Sequence, residues 1–233
     1  MTAEGIQGTV ALIPARAGSK GLPGKNLRVV AGRSLLAHAC AVAAEVEEID
    51  RVVVSTDGDD IAAEAERCGA EVICRPDEFA TDGAVVADTI RHALGELRAS
   101  GQPPRYGVLL EPTTPMREAE DVRRCIRALE TGADSAATFT EAALHPHRAF
   151  VIGDDGVAPF VPGAVPWRPR QGLQPPAYQL SGACYAFDCE RFPDDGPAVL
   201  FGRIAAVVVP RERSLDIDDE VDLLAVEARL TRR

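Results

Sequence analysis

The chain has 233 residues, of which 46% are hydrophobic and 26% charged, and its 25 Lys and Arg against 36 Asp and Glu give a net charge of −11. These values are ordinary for a globular chain that buries a substantial core, and the negative charge argues against nucleic acid as a partner, because a phosphate backbone needs a basic surface. No apolar run approaches the ~18 residues that cross a bilayer, so we expect no membrane partner.

The alternation of apolar runs and amphipathic stretches predicts a repeating strand–helix order over the first half of the chain. Strands are predicted at residues 9–14, 51–56, 71–74 and 106–110, and helices at 34–47, 59–68, 82–97 and 117–129. We expect Asp59 or Asp60 to cap the second helix and Gly69 to end it. This order is typical of βαβ units around a parallel sheet, which binds ligands at the carboxyl ends of its strands.

The pattern changes after about residue 140. Seven prolines between Pro146 and Pro176 favour irregular structure or edge strands in this stretch. Later strands are predicted at 182–187 and 204–209, and an amphipathic helix at 217–230. Because we find no repeat or flexible linker, we expect one domain over residues 1–233, with an excursion at about 140–178.

The cysteines and the first residues bear on the cellular compartment. None of the six cysteines forms a C-x-x-C pair, so we expect free thiols packed as small apolar groups in a reducing environment. Residues 1–8 are polar and include Glu4, unlike a signal peptide. Both observations favour a cytoplasmic protein.

The loop after the first predicted strand is rich in glycine and in basic residues. It runs from Ala15 to Asn26 as A-R-A-G-S-K-G-L-P-G-K-N, and it holds Arg16 and the only two lysines of the chain, Lys20 and Lys25. Glycines let main-chain N–H groups approach a ligand closely, and three positive charges beside them suit a polyphosphate. The only alternative left open is an ordinary glycine-rich turn.

Two common phosphate-binding motifs do not fit this loop. A Walker A loop requires G-x-x-x-x-G-K-[ST], but here five residues separate Gly18 from Gly24, and Asn26 stands in place of Ser or Thr. A dinucleotide-binding G-x-G-x-x-G is also absent. We therefore disfavour P-loop enzymes and dehydrogenases.

The loop instead resembles that of the acylneuraminate cytidylyltransferases, also called CMP-sialic acid synthetases, in the string I-P-A-R-x-G-S-K-G-L-P-x-K-N. Four further segments follow in the family's order: V-S-T-D at 54–57, R-P at 75–76, P-T-T-P-M-R at 112–117 and S-L-D-I-D at 214–218. The likeness covers about residues 9–230. It implies a three-layer α/β/α nucleotidyltransferase domain with a mostly parallel central sheet, and a small dimerisation arm at about 140–178.

The resemblance also implies an activity. Family members are homodimers that join CTP to a nine-carbon 2-keto sugar acid and release pyrophosphate, with Mg²⁺ as cofactor. Carried over by motif, the nucleotide contacts would come from Ala15, Arg16, Gly18, Ser19, Lys20, Lys25, Asn26 and Arg75. Of these, Arg16 and Lys25 would also serve catalysis, by positioning and charge stabilisation.

Asp216 and Asp218 are the candidate metal ligands and complete the predicted catalytic set. On an extended segment, residues two apart face the same way, and paired carboxylates near phosphates suit Mg²⁺. The alternative is an acidic cluster at a helix N-terminus, since Asp219 and Glu220 follow. The general base stays open between a metal-bound hydroxide and Asp218.

The predicted acceptor-binding residues are Glu111, Arg148, Arg170, Tyr178 and Gln179. By the resemblance, the two arginines would reach the partner's site and hold the acceptor carboxylate, a task that suits the guanidinium group; for each, a solvated loop arginine is the alternative.

Three positions depart from the family pattern: Glu111 stands where Gln is usual, Gln179 where many bacterial members have Arg, and Ser181 where Asn is usual. Another nonulosonic acid or a small phosphonate therefore remains possible as acceptor. A Kdo-type cytidylyltransferase and a non-catalytic nucleotide-binding protein are the remaining rivals.

Overall fold

The computed structural model describes residues 8–18, 21–81 and 83–232, with the backbone but not the side chain of Arg170. Its strands are β1 (Thr9–Pro14), β2 (Val29–Val30), β3 (Arg33–Ser34), β4 (Arg51–Thr56), β5 (Glu71–Cys74), β6 (Tyr106–Leu109), β7 (Ser135–Glu141), β8 (Phe150–Gly153), β9 (Gly156–Pro159), β10 (Tyr178–Asp188) and β11 (Ile204–Val208). Its α-helices are α1 (Leu35–Ala44), α2 (Asp59–Arg67), α3 (Val86–Ala99), α4 (Ala119–Glu130) and α5 (Glu220–Leu230).

A mixed sheet of seven strands forms the centre, in the order β11-β7-β10-β6-β1-β4-β5. Strand β1 pairs in parallel with β4 and β6, β4 with β5, and β7 with β11. Strand β10 runs antiparallel to both of its neighbours. The predicted mostly parallel sheet is confirmed, and the carboxyl ends of β1, β4, β5 and β6 meet at one edge.

Helices cover both faces of this sheet because its strands are apolar on both sides. On one face, α1, α2 and α4 pack against alternate strand residues such as Ile13 and Val54. On the other face, α3 packs against the intervening residues, such as Leu12 and Val53. The result is the three-layer α/β/α architecture that the sequence predicts. A smaller cluster joins α5 to β2 and to the first loop.

Helix starts are where the sequence predictions need correction. Helix α2 has Gly58 as its N-cap, and Asp59 and Asp60 lie in its first turn. Helix α4 begins at Ala119 because Glu118 and Asp121 form a capping box, so Arg117 lies before the helix. Similarly, α3 begins at Val86 and α5 at Glu220, each later than predicted. Capping boxes mark the starts of α4 and α5 even where the apolar period extends before them, whereas α2 and α3 begin without a side-chain cap.

The sequence analysis also missed strand β7 and the first four residues of β10. Strand β7 reads S-A-A-T-F-T-E, and its small and hydroxylated residues conceal a strand that is mostly buried. Ser135 and Thr138 lie inside because each has a hydrogen-bond partner there, the carbonyl of Phe201 at 2.7 Å and that of Cys184 at 3.1 Å respectively.

Between β7 and β10 the chain is mostly irregular, as the prolines predict. It contains the hairpin β8–β9, which forms a sheet of its own, and two short 3-10 helices, at Pro146–Arg148 and Arg170–Gly172. All six cysteines are free, as predicted. No helix in the described part of the chain is long and apolar enough to cross a bilayer.

Candidate active site

A cleft of about 260 Å³ opens at the edge of the sheet where the parallel strands end. Six of the predicted site residues line it: Arg16, Gly18, Lys25, Asn26, Arg75 and Glu111. They come from the loop after β1 and from the residues that directly follow β5 and β6. The topology of the sheet therefore collects residues that are up to 95 positions apart (111 − 16).

Hydrogen bonds within the sheet edge hold the backbone of the first loop. The N–H of Ala15, a fully buried residue, donates to the Ser55 carbonyl at 3.0 Å. The N–H of Ala17 donates to Asp57 Oδ1 at 2.8 Å, and Asn26 Nδ2 donates to the Arg16 carbonyl at 2.9 Å. Asn26 is thus engaged in shaping the loop. Because these hydrogen bonds already order the loop backbone, the side chains of Arg16 and Lys25 are held at the cleft.

The C-terminal segment before α5 closes against this loop through Lys25. Lys25 Nζ donates to the Ile217 carbonyl at 2.8 Å and pairs with Asp218 Oδ1 at 3.1 Å. The N–H of the buried Ile217 donates to the Thr113 carbonyl at 2.9 Å, which ties the segment to the loop after β6. A Cβ at Gly21 would lie 2.5 Å from the Asp218 carbonyl oxygen, so only glycine allows this approach.

Arg75 supplies a second, buried cation beside Arg16. Its guanidinium donates from Nη2 to the Ser55 carbonyl at 2.6 Å and from Nε to Ser55 Oγ at 3.2 Å. Burial lowers the pKa of Arg75, the Asp57 carboxylate raises it, and the nearby positive charge of Arg16 lowers it further. Two guanidinium groups near each other in a cleft are a favourable place for a polyanion.

Glu111 lines the same cleft and has both acidic and basic neighbours. Burial raises its pKa, and so does repulsion from Asp216 and Asp218, while Arg117 and Lys25 lower it. The Arg117 guanidinium is buried, which lowers its pKa to about 10, so it remains a cation at neutral pH. It donates to the main-chain carbonyls of Glu111 and Ala183 and thereby joins the end of β6 to β10.

Asp216 and Asp218 flank the buried Ile217, and both are exposed at the rim. Asp219, which follows them, is the N-cap of α5, so the acidic run divides into a helix cap and a pair that precedes the helix. No group of three or more potential metal ligands occurs among the described residues. Two carboxylates do fit Mg²⁺, which keeps several waters and takes phosphate oxygens as further ligands.

Of the predicted acceptor residues whose side chains the structure describes, Glu111 lines this cleft, whereas Arg148, Tyr178 and Gln179 do not. Gln179 Oε1 accepts a hydrogen bond from the Ala143 N–H at 2.8 Å, and Tyr178 lines a separate cavity of about 700 Å³ beside β11. Arg148 Nη2 donates to the Arg168 carbonyl at 2.9 Å. Ser19, Lys20 and the side chain of Arg170 lie outside the described structure. All of these assignments stay predictions.

The sequence analysis gave no role to three residues that shape the site. Asp57 holds the loop backbone, Arg117 joins β6 to β10, and Tyr185 has its pKa raised to about 12 by burial and then by Glu111 and Asp216. A signal for Asp57 was present, because it follows the carboxyl end of a predicted parallel strand. Phe79, Thr81 and Val86 also line the cleft, but no sequence motif pointed to them.

A family model and individual relatives both match this chain, and both are cytidylyltransferases. The family described as cytidylyltransferase matches residues 10–155, which is more than half of the chain. An N-acylneuraminate cytidylyltransferase from Streptococcus agalactiae is 29% identical over 224 residues, covering 95% of this chain and 53% of the relative. The chain thus spans about half the length of such curated relatives.

In two further comparisons the match covers nearly the whole of this chain and of the other protein. A CMP-N,N'-diacetyllegionaminic acid synthase from Legionella pneumophila is 30% identical over 226 residues, covering 94% of each chain. A solved structure of a CMP:2-keto-3-deoxy-manno-octonic acid synthetase complexed with CTP superposes with a TM-score of 0.71 at 19% identity, covering 97% of this chain and 99% of the other. At that identity the structural likeness concerns the fold.

Proposed function

This chain belongs to the cytidylyltransferase family, and on that basis we propose that it transfers a cytidylyl group from CTP to an acidic acceptor and releases pyrophosphate. One observation carries the proposal most directly. Arg16, Lys25 and Arg75 line a cleft at the carboxyl ends of parallel strands in a chain whose net charge is −11. Such a local concentration of cations suits a small polyanion such as a nucleoside triphosphate.

In this proposal the first loop binds the nucleotide. Arg16 and Lys25 contact the triphosphate, with Ser19 and Lys20 beside them, and Gly18 lets the main chain come close. Asn26, Arg75 and the Ala15 backbone lie near the rest of the nucleotide. The hydrogen bonds from Ala15, Ala17 and Asn26 support this arrangement, because they hold the loop before CTP arrives.

The proposed reaction is an in-line substitution at the α-phosphorus of CTP. An acceptor oxygen forms a new bond to that phosphorus, the bond to the β-phosphate oxygen breaks, and pyrophosphate leaves with the electron pair. Negative charge grows on the leaving group, where Arg16 and Lys25 stabilise it. Lys25 is suited to this task because the Ile217 carbonyl and Asp218 already orient its ammonium group.

Mg²⁺ is the proposed cofactor, with Asp216 and Asp218 as its protein ligands. Both carboxylates are exposed at the rim. Asp218 pairs with Lys25, and Asp216 lies two residues before it. When bound, the ion would neutralise phosphate charge and align the phosphates. The acceptor proton would pass to a base at the same rim, for which Asp218 is a candidate.

The acceptor is proposed to be a nonulosonic, sialic-acid-like 2-keto sugar acid, with a small phosphonate or a Kdo-type acid as the other possibilities. Glu111 faces the acceptor from the same chain. Arg148, Arg170, Tyr178 and Gln179 contribute from the arm of a second copy in a proposed homodimer. The arm's exposed apolar side chains, among them Ile152 and Trp167, support such a dimer, and the free thiols suit a cytoplasmic setting.

A CTP-dependent acceptor screen tests the proposal. Calorimetry should detect CTP binding that is stronger with Mg²⁺, and coupled pyrophosphate release should identify the acceptors. Turnover requires both CTP and an acidic acceptor if the proposal is right. CTP binding without turnover on any acid in a broad panel would favour the non-catalytic nucleotide-binding protein instead.

A further inference from the structure

The cleft carries one carboxylate among its basic residues. Arg16 and Lys25 lie in the loop after β1 and Arg75 follows β5, whereas Glu111 follows β6, whose other neighbour is β10. With the triphosphate along the basic residues, the acceptor approaches from the side of Glu111 and β10, where an anionic group placed next to this carboxylate is repelled.

The Glu111 carboxylate has no hydrogen-bond donor among the described residues. Neither neighbouring cation donates a hydrogen bond to it, although Nη1 of Arg117 is buried without a hydrogen-bond partner. Lys25 Nζ pairs with Asp218 and donates to the Ile217 carbonyl. Arg117 donates from Nη2 to the main-chain carbonyl of Glu111, and from Nε to the Ala183 carbonyl at 2.6 Å. A carboxylate that is partly removed from water and left unpaired is unfavourable, so this position suits a cationic donor from a ligand.

Strand β10 comes close to this carboxylate at a glycine. Gly182 has a φ of +71°, and a Cβ built on it would lie 3.9 Å from Glu111 Oε2 and only 3.3 Å from Thr114 Cγ2. Gly182 lies at a bulge in β10, between Leu180 and Tyr185. Bulges of this kind are frequent next to active sites because they redirect the chain locally.

Hydrogen bonds hold the bulge in place. Ser181 Oγ donates to Thr138 Oγ1 at 2.6 Å, and the Cys184 N–H donates to the same oxygen at 2.9 Å. Because buried groups on β7 define the shape of the bulge, the close approach of Gly182 to Glu111 belongs to the folded chain.

We propose that Glu111 binds a protonated amino group on the acceptor, so that the second substrate is an acid bearing a free ammonium group. This inference rests on the proposed function and specifies its acceptor. An ammonium group offers three donors and a positive charge, whereas an N-acylated nitrogen offers one donor and no charge, and a hydroxyl group offers one. Only the ammonium group both satisfies the carboxylate and offsets the acidic surroundings.

Matched acceptor pairs test this inference. One set is 2-aminoethylphosphonate, its N-acetyl derivative and propylphosphonate, and the other is a 2-keto sugar acid with a free amine beside its N-acetylated and hydroxyl counterparts. Pyrophosphate release is measured with each, for wild type, Glu111→Gln and Glu130→Gln. The last is the matched control, since Glu130 is exposed at the end of α4, away from the cleft.

Wild type should prefer the amino member by at least about tenfold in kcat/KM, the size expected of one charge-assisted hydrogen bond. Glu111→Gln should remove most of that preference, because the neutral amide no longer pairs with a cation, while Glu130→Gln keeps it. Unchanged CTP affinity of Glu111→Gln, measured by calorimetry, would show that the cleft remains folded.

Three outcomes count against these ideas in distinguishable ways. Turnover of acylated or hydroxyl acceptors as good as that of the amino members overturns the inference and leaves the proposed function intact. A raised half-saturating Mg²⁺ concentration in Glu111→Gln, with the amine preference retained, assigns Glu111 to the metal and also overturns it. A complete absence of turnover with every acceptor overturns the proposed function itself.

Discussion

Residues 9–75 and residues 140–178 are built in opposite ways, although both contain residues assigned to substrates. Strands β1 and β4 lie mostly buried in the sheet. The guanidinium groups of Arg16, after β1, and Arg75, after β5, donate to the main-chain carbonyls of Ala80 and Ser55. In the hairpin β8–β9, by contrast, all residues are exposed.

Exposure in the arm extends to its largest apolar side chains. Ile152 is 81% exposed and Trp167 is 85% exposed. The comparison indicates that one chain assembles the basic cleft by itself, whereas the arm still has apolar surface to bury. Each experiment below is designed to break or sharpen that contrast.

The largest effect is expected at Lys25. Replacing Lys25 by Ala should lower kcat/KM by about 10² to 10³, because it removes a cation that stabilises the leaving phosphates. Lys25→Arg should also lose activity, since a planar fork cannot keep both the Ile217 carbonyl and Asp218 in the geometry of a compact ammonium group. Steady-state kinetics with CTP varied measures both.

Arg28→Ala is the control for this substitution. Arg28 is a nearby cation whose exposed ion pair with Glu220, at 2.9 Å, contributes about 0–1 kcal/mol. Its loss should leave turnover unchanged. If Lys25→Arg retains wild-type turnover, the argument that this position needs a point charge is wrong.

The next effect concerns the metal. Asp216→Asn should raise the Mg²⁺ concentration that gives half-maximal activity by about tenfold, because an amide is a weaker ligand than a carboxylate for a hard cation. A Mg²⁺ titration at saturating CTP measures the shift.

Asp219→Ala provides the contrast with a purely structural carboxylate. Asp219 accepts from the N–H groups of Val221 and Asp222 as the N-cap of α5. Its replacement should cost about 1 kcal/mol of stability and leave the Mg²⁺ dependence unchanged. An Mg²⁺ dependence that moves equally in both variants would identify the acidic run as a helix terminus only.

A third experiment tests whether the arm is completed by a second copy. The double variant Ile152→Glu, Trp167→Glu should shift the protein from dimer to monomer in analytical ultracentrifugation, since charges replace exposed apolar contacts. The monomer should keep its CTP affinity and lose affinity for the acceptor. Val29→Glu is the control, because Val29 is also exposed but lies on the β2–β3 ribbon. A wild-type protein that sediments as a monomer would contradict the dimer.

The smallest effect is a pH-dependent change in stability at Glu111. Its pKa is raised above 4.5 in the folded protein, mainly by burial and then by Asp216, so the folded state binds the proton more tightly than the unfolded state. The free energy of unfolding therefore falls as the pH rises from about 4.5 through the raised pKa. Glu111→Gln lacks this loss and should be more stable than wild type at neutral pH.

Thermal unfolding of metal-free protein from pH 4 to pH 8 measures the difference in unfolding free energy between wild type and Glu111→Gln. At neutral pH this difference is on the order of 1.4 kcal/mol for each unit by which the pKa is raised. It should shrink as the pH falls toward the ordinary pKa of a glutamic acid. A constant difference across the pH range would show that packing, and not the charge of Glu111, distinguishes the variant.

Much of the architecture follows from the sequence because its signals are local. The strands at β1, β4 and β5 were predicted with the bounds that the structure has, since each is a short apolar run between turn residues. The concentration of basic residues in one glycine-rich loop also predicted a basic cleft, and of these residues Arg16 and Lys25 line it. Strand β7 was missed because its buried hydroxyl groups find partners only after β10 pairs with it.

The sequence by itself determined the alternation of strands and helices from β1 to α4, the family and the loop that carries the basic residues. Only the tertiary structure decided which distant residues meet there. Lys25 pairs with Asp218, 193 positions later, and Glu111 faces the bulge at Gly182. The physical reason is that periodicity and turn chemistry act over a few residues, whereas the charge environment of a cleft depends on how the sheet edge, β10 and the C-terminal segment pack together.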